Sequence, residues 1–372
     1  MNRQGYIFFL ASFFSVLFLN AQENGQMKWH DPSKGDFRTV HNQLWHGSEI
    51  ACYYDRLPAK AENEVRKEVW NLSRNAAGLK LVFTTNATEI TVRYVALKKN
   101  YAMDHFPATG VSGIDLFATN DDGTWTWANG SYSFKDTITY TYSGLDLDRD
   151  RYRNRREFHL YLPLYNTVEW LEIGVPSASS FTFVPVSDEK PVIVYGTSIA
   201  QGGCASRAGM AWTNVLERAI HIPVVNLGFS GNGRLEKGVI DLIAANDARI
   251  FVLDCLPNLS GEIEAIVSKT REAVRTISAR HPQTPIILVE HSGYLENRMN
   301  TGVAKRIRSV NDESLKAYKA LKSEGVENLY YLKYEDIGLN QYDSVDGVHP
   351  TDGGMLKYAQ AYAKLIQEIL NK

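Results

Sequence analysis

With 372 residues the chain is long enough for two domains and a large core. Lys+Arg 40 against Asp+Glu 42 leaves a net charge of −2, so there is no basic excess to track phosphates and nucleic-acid binding is excluded. Three cysteines exclude a disulfide-dense scaffold or a multi-cysteine zinc module, and 44% hydrophobic residues exclude a mainly disordered chain.

The first 21 residues read as a secretory signal peptide. Arg3 supplies a positive start, Tyr6 to Leu19 is almost wholly apolar, and Leu19-Asn20-Ala21 ends on a small residue. The apolar run is short for a membrane span. A periplasmic or extracellular location is therefore expected, with no stable membrane insertion after cleavage.

From residue 28 to 187 the apolar residues alternate with period two, as in Glu89-Ile-Thr-Val-Arg-Tyr-Val95 and Phe158-His-Leu-Tyr-Leu162. Turn clusters such as Asn120-Asp-Asp-Gly123 separate these runs, which predicts a β-sandwich. One helix is expected here, over Ala61 to Leu72. Trp125 and Trp127 share one face of a strand; filling the sandwich core is the favoured role, with stacking on sugar rings as the alternative. The run Asp148 to Arg156 mixes both charge signs and reads as a solvated loop.

After the proline-bracketed linker Pro185 to Pro191 the pattern changes. Strands are predicted at Pro191–Tyr195, Pro223–Leu227, Arg249–Asp254, Pro285–Glu290 and Leu329–Leu332. Helices are predicted over about 209–220, 235–245, 262–280, 304–323 and 353–370. Five buried strands alternating with helices predict a doubly wound parallel α/β sheet for residues 188–372. Ligands of such sheets bind beyond the carboxyl ends of the strands.

Four motifs fall at those ends. Gly196-Thr-Ser198 follows the first strand, Asn226-Leu-Gly-Phe-Ser-Gly231 the second and Asn258 the third, while Asp346-Gly-Val-His349 precedes the last helix. Together they hold the parts needed for acyl transfer. Ser198 is the candidate nucleophile, His349 the base that takes its proton, and Asp346 the acid that orients the imidazole. The N–H of Ser198, the N–H of Gly231 and the amide of Asn258 are candidate oxyanion donors.

These blocks resemble those of the SGNH (GDSL-type) hydrolase superfamily. The resemblance implies a flavodoxin-like fold, Ser198 as nucleophile, Gly231 and Asn258 completing the oxyanion hole, and Asp346 and His349 completing the triad. Two positions depart from the family pattern: Thr197 stands where an Asp is usual, and Pro257 where a Gly is usual. Gly113-Ile-Asp115-Leu116-Phe117 is similar to the Gly-x-Asp-Leu-Tyr motif of the β-domain that precedes some bacterial members.

Other residues at the predicted ligand edge are weaker candidates. Glu290 and His291 end the fourth strand, each as readily structural as substrate-binding. Tyr294, Arg298 and Asn300 belong to a loop that reads as a specificity wall. Arg207 and Arg234 are possible contacts for a polar substrate, with helix-surface roles favoured. Cys204 and Cys255 come near enough for a disulfide, with two buried free thiols preferred. The turn Gly228 to Gly233 lacks the Gly-x-Gly-x-x-Gly order of a dinucleotide site, and the nine histidines lack metal-ligand spacing. No cofactor or metal is expected. The expected activity is a secreted serine esterase acting on a small ester, most of all an acetylated glycan. The alternatives are a lipid acylhydrolase and a glycan-binding protein that uses the fold as a scaffold.

Overall fold

The computed structural model describes residues 26–145, 156–293 and 299–371. The predicted signal peptide, most of the 148–156 run, Tyr294 and Arg298 lie outside the described residues.

The N-terminal region contains strands β1 (Met27–His30), β2 (Val40–His41), β3 (Lys80–Thr85), β4 (Glu89–Ala96), β5 (Asp115–Thr119), β6 (Trp125–Ala128), β7 (Ser131–Ser133), β8 (Ile138–Ser143), β9 (Arg156–Tyr161), β10 (Val168–Pro176) and β11 (Phe181–Phe183). They form two antiparallel sheets, ordered β1-β10-β4-β8-β7 and β11-β3-β9-β5-β6, with β2 added beside β3. The period-two pattern sets the faces. Ile90, Val92, Tyr94 and Ala96 of β4 point inward and meet Leu81 and Phe83 of β3 and Phe158 and Leu160 of β9 in one core.

The continuous helix expected over Ala61–Leu72 is two pieces. A 3₁₀ turn spans Ala59–Asn63, and a short helix, α1, spans Lys67–Ser73. The chain straightens at Arg66, whose ψ of 148° is extended. This break lets Ala61, Val69 and Trp70 pack with Leu57 and Trp45 against the parallel sheet rather than in the sandwich. Tertiary burial therefore overrides the helical pattern.

The second region holds β12 (Val192–Gly196), β13 (Val224–Gly228), β14 (Ile250–Asp254), β15 (Ile286–Val289) and β16 (Leu329–Leu332), all parallel, in the order β13-β12-β14-β15-β16. Each residue of β12, β13, β14 and β15 is buried, as both faces are covered. After α2 (Ala108–Val111) and a single turn, α3 (Ser198–Gln201), the helices are α4 (Trp212–Ile220), α5 (Lys237–Ile243), α6 (Ile266–Arg280), α7 (Thr301–Ser323), α8 (Tyr334–Ile337) and α9 (Asp352–Leu370). Successive connections leave β12 in opposite directions, so its carboxyl end is the topological switch point where such sheets bind ligands. The residue two beyond β12 is Ser198. Among the described residues no helix is long and apolar enough to cross a membrane.

Candidate active site

β12 ends at Gly196, and Thr197 caps the turn that follows, its hydroxyl accepting from the Ile199 N–H at 3.3 Å. Threonine thus does the capping work an Asp would do at this position. Ser198 is the first residue of α3 and is 7% exposed. Its Oγ lies 2.8 Å from His349 Nε2, and His349 Nδ1 lies 2.7 Å from Asp346 Oδ2. A carboxylate only accepts, so Nδ1 carries the ring proton and Nε2 is left to accept from the serine hydroxyl.

The loop carrying this pair is built tightly. Asp346 Oδ1 accepts from the backbone N–H groups of Val348 and His349 at 3.0 and 2.8 Å. The His349 carbonyl accepts from Val345 N–H at 2.8 Å and from the Ser344 hydroxyl at 3.1 Å. Burial pushes the Asp346 carboxyl upward, but hydrogen bonds from the His349 ring and the backbone outweigh it and hold it below its ordinary value.

The three expected oxyanion donors are also placed at the strand ends. Gly231 has φ +69°, a left-handed conformation that favours glycine, and nothing lies within 4 Å of where a Cβ would stand. Asn258 sits in a 3₁₀ turn, Leu256–Leu259, that Pro257 suits by its fixed φ. Its Oδ1 accepts from Gly233 N–H at 3.0 Å, and its NH₂ makes no hydrogen bond among the described residues. The amide is thereby oriented with its donor side free.

Other residues, inside and outside the motifs, support this edge. Asn226 donates to the Ala200 carbonyl at 2.6 Å and to Thr213 at 2.9 Å, tying β13 to α3 and α4. Gly228 passes so close to α3 that a Cβ would fall 2.2 Å from Gln201 N. From the N-terminal region, Arg56 is 2% exposed and donates to the carbonyls of Asn226 and Gly228, both at 2.9 Å, and to those of Asn75 and Leu72. Tyr165 donates to the Ser198 carbonyl at 3.2 Å. Neither could be found from periodicity, since each is a lone polar residue in an irregular segment.

Residues 189–367 match the model of the GDSL-like lipase/acylhydrolase family, and residues 27–181 match the model of the GxDLY N-terminus of SGNH-type esterases. The chain belongs to the GDSL-like, SGNH-type hydrolases. It is accordingly a carboxylic ester hydrolase. A solved structure from Bacteroides ovatus, described as a GDSL-like lipase, is 29% identical with a TM-score of 0.83, covering 93% of this chain and 98% of that one. The salicylyl-acyltransferase SsfX3 of a tetracycline biosynthetic pathway is 17% identical with a TM-score of 0.71, covering 92% and 97%. A family two carbohydrate esterase from Cellvibrio japonicus is 11% identical with a TM-score of 0.56, covering 93% and 98%. The last two likenesses are of fold. No curated protein matches the sequence.

The remaining candidates of this hydrolase are engaged by its own framework. Glu290 is 7% exposed and its Oε2 accepts from the Tyr334 N–H at 3.0 Å, at the start of α8; burial raises its carboxyl. His291 is buried as well. Its Nδ1 accepts from Gly293 N–H at 3.0 Å, and burial lowers its pKa to about 4. Arg234 donates from Nε to the Gly231 carbonyl at 3.1 Å and so braces the loop that carries Gly231. Arg207 forms an ion pair with Asp115 of the Gly-Ile-Asp motif. Asp115 also accepts from Trp127 Nε1 at 2.6 Å and from Gly209 N–H at 3.0 Å. That motif is a clasp between the two regions.

The tryptophans differ from the favoured expectation, because neither enters the sandwich core. Trp127 is 43% exposed, and Trp125 packs edge-on to His159 and donates to the Arg218 carbonyl at 3.2 Å. β6 is the edge strand of its sheet, and its outer face meets the hydrolase region instead of the opposing sheet. Cys204 and Cys255 are buried free thiols. The fold also gathers what the scattered histidines concealed: His105, Cys204 and His349 present ligand atoms within 4.8 Å of one another. Burial, then the charge of Asp346, pushes the Cys204 thiol up to about 12.

Proposed function

We propose that this hydrolase is a secreted serine esterase that removes a small acyl group, acetyl above all, from an oxygen ester of a carbohydrate. On this reading residues 1–21 are its leader, 28–187 a β-sandwich accessory domain and 188–372 the catalytic domain. Ser198 Oγ attacks the ester carbonyl while its proton passes to His349 Nε2. The imidazolium is stabilised by Asp346 and then protonates the departing sugar oxygen. The acyl-serine is cleaved by water, whose proton His349 takes in turn, releasing the carboxylic acid and restoring the serine. Through both steps the oxyanion is met by the N–H groups of Ser198 and Gly231 and by the Asn258 amide.

The observation that carries the chemistry is the unbroken line Ser198 Oγ, His349, Asp346 with contacts of 2.8 and 2.7 Å. The carbohydrate part is supported by the fold shared with family two carbohydrate esterases. Hydrolysis of p-nitrophenyl acetate by wild type and by Ser198→Ala tests the chemistry, with a fall in kcat of about 10⁴-fold or more expected. Equal rates sink it. Acetate release from a panel of acetylated polysaccharides tests the substrate.

A further inference from the structure

The segment that follows the reactive serine forms one wall of a cavity that acyl transfer does not use. Between the β6–β7 hairpin and segment Ser206–Arg207 there is an open cavity of about 280 Å³. Trp127, Tyr132, Tyr140 and Tyr142 line it from the β region, and Ser206 and Arg207 from the hydrolase region.

Its chemistry is specific. Trp127 and Tyr132 are 43% and 56% exposed, two large aromatic side chains left to water at one place. Trp127 is held in place by its hydrogen bond to Asp115 and by the Arg207 guanidinium 4.3 Å from its ring centroid. Tyr142 is only 2% exposed, yet its hydroxyl has no hydrogen-bond partner among the described residues. The Asp115–Arg207 pair cancels its own charge, so the cavity selects a neutral occupant rather than an anion. Flat aromatic faces suit the C–H face of a pyranose ring, while phenol hydroxyls and the remaining guanidinium N–H groups suit its hydroxyls.

Position links the cavity to the reaction. Cys204 Sγ lies within 4.8 Å of a ring nitrogen of His349. Arg207 is three residues further on, at most about 11 Å along a fully extended chain. One short stretch of chain therefore joins the reacting edge to the cavity wall. We propose that this cavity is a subsite for a neutral sugar unit further along the glycan from the acylated one. The substrate is then an oligo- or polysaccharide rather than a free acylated sugar. The proposal rests on the esterase reading of Ser198 and adds to it where the glycan continues.

Binding and turnover test it separately. Ser198→Ala protein is titrated calorimetrically with cellohexaose, xylohexaose and mannohexaose, alone and combined with Trp127→Ala or Tyr132→Ala. One hexaose is expected to bind, and to bind at least tenfold more weakly in each aromatic variant. Tyr132 is the safer variant, since its ring packs on the surface against Tyr140 and Phe134 and it is outside the Asp115 clasp. With Ser198 intact, each aromatic variant should lower kcat/KM for the acetylated hexaose at least tenfold more than for p-nitrophenyl acetate. Absence of hexaose binding, or binding and selectivity unmoved by Tyr132→Ala, overturns the subsite. Neither result touches the esterase reading, which falls only if Ser198→Ala hydrolyses p-nitrophenyl acetate as fast as wild type.

Discussion

Replacing Asp346 by Asn probes the one hydrogen bond that sets the tautomer of His349. The aspartate oxygens have divided duties: Oδ1 accepts from two backbone N–H groups at 3.0 and 2.8 Å, and Oδ2 accepts from the imidazole Nδ1–H at 2.7 Å. An asparagine has a single oxygen, and the two backbone donors need it. The amide NH₂ must then face Nδ1, which can meet it only as an acceptor. The ring proton moves to Nε2, which can no longer take the proton of Ser198. The geometry survives and the base is lost, so kcat on p-nitrophenyl acetate should fall by about 10⁴, or about 5 kcal/mol in the barrier. Because the substitution is isosteric and keeps the loop contacts, the urea midpoint should stay close to that of wild type. Stopped kinetics and a denaturation curve on the same preparation give both numbers. A kcat within tenfold of wild type, with the fold intact, would refute the assignment of Asp346 as the orienting acid.

Other expectations follow from the same contacts. Asn258→Ala should lower kcat about 10²–10³-fold with little change in KM, and a neutral result removes Asn258 from the oxyanion hole. Arg56→Met should cost at least about 3 kcal/mol in urea unfolding, because the carbonyls of Asn226 and Gly228 are left buried without a donor; an unchanged midpoint contradicts this. Burial lifts the Asp254 carboxyl to about 7 against the hydrogen bond from Tyr362. The folded state therefore holds a proton that the unfolded chain has already lost from about pH 4 upward, so this group makes stability fall as pH rises towards 7. The effect is about 4 kcal/mol across that window, and Asp254→Asn should flatten it in urea curves taken from pH 4 to 8. Iodoacetamide at pH 8 should label the exposed Cys52 and spare the buried Cys204 and Cys255, as read by peptide mass mapping.

The parallel sheet and the positions of the motif residues at its edge were legible because both depend on local patterns. Continuous apolar strands such as Val192–Gly196 are required wherever both faces are covered, and the motif residues must follow them directly. Helix starts were less legible. α4 begins at Trp212 and α6 at Ile266, each after a 3₁₀ turn that periodicity does not distinguish from helix. The roles of Arg207, Glu290 and Arg56 were hidden for a different reason. Their partners, Asp115, the Tyr334 N–H and the Gly228 carbonyl, are distant in the chain, and no short-range pattern encodes such a pair. The same holds for the meeting of His105, Cys204 and His349.

These long-range pairs explain why a β region stands in front of this hydrolase at all. Leu57, Val69, Trp70 and Trp45 cover the face of the parallel sheet that presents Ile193, Tyr195, Val225 and Leu227. Phe106, Val111 and Tyr161 join Val192, Val194 and Trp212 on the other face. They complete the cover that the helices of the hydrolase region give to each face. The same segments then reach the reacting edge, Arg56 holding the end of β13 and Tyr165 the backbone of Ser198. Residues that bury the sheet are thus continuous with residues that hold Ser198. The clasp of Asp115 on Arg207 and Gly209 locks the chain just beyond Cys204, beside His349. A loosened clasp should therefore register at the triad as well as in stability, which a packing role alone would not require.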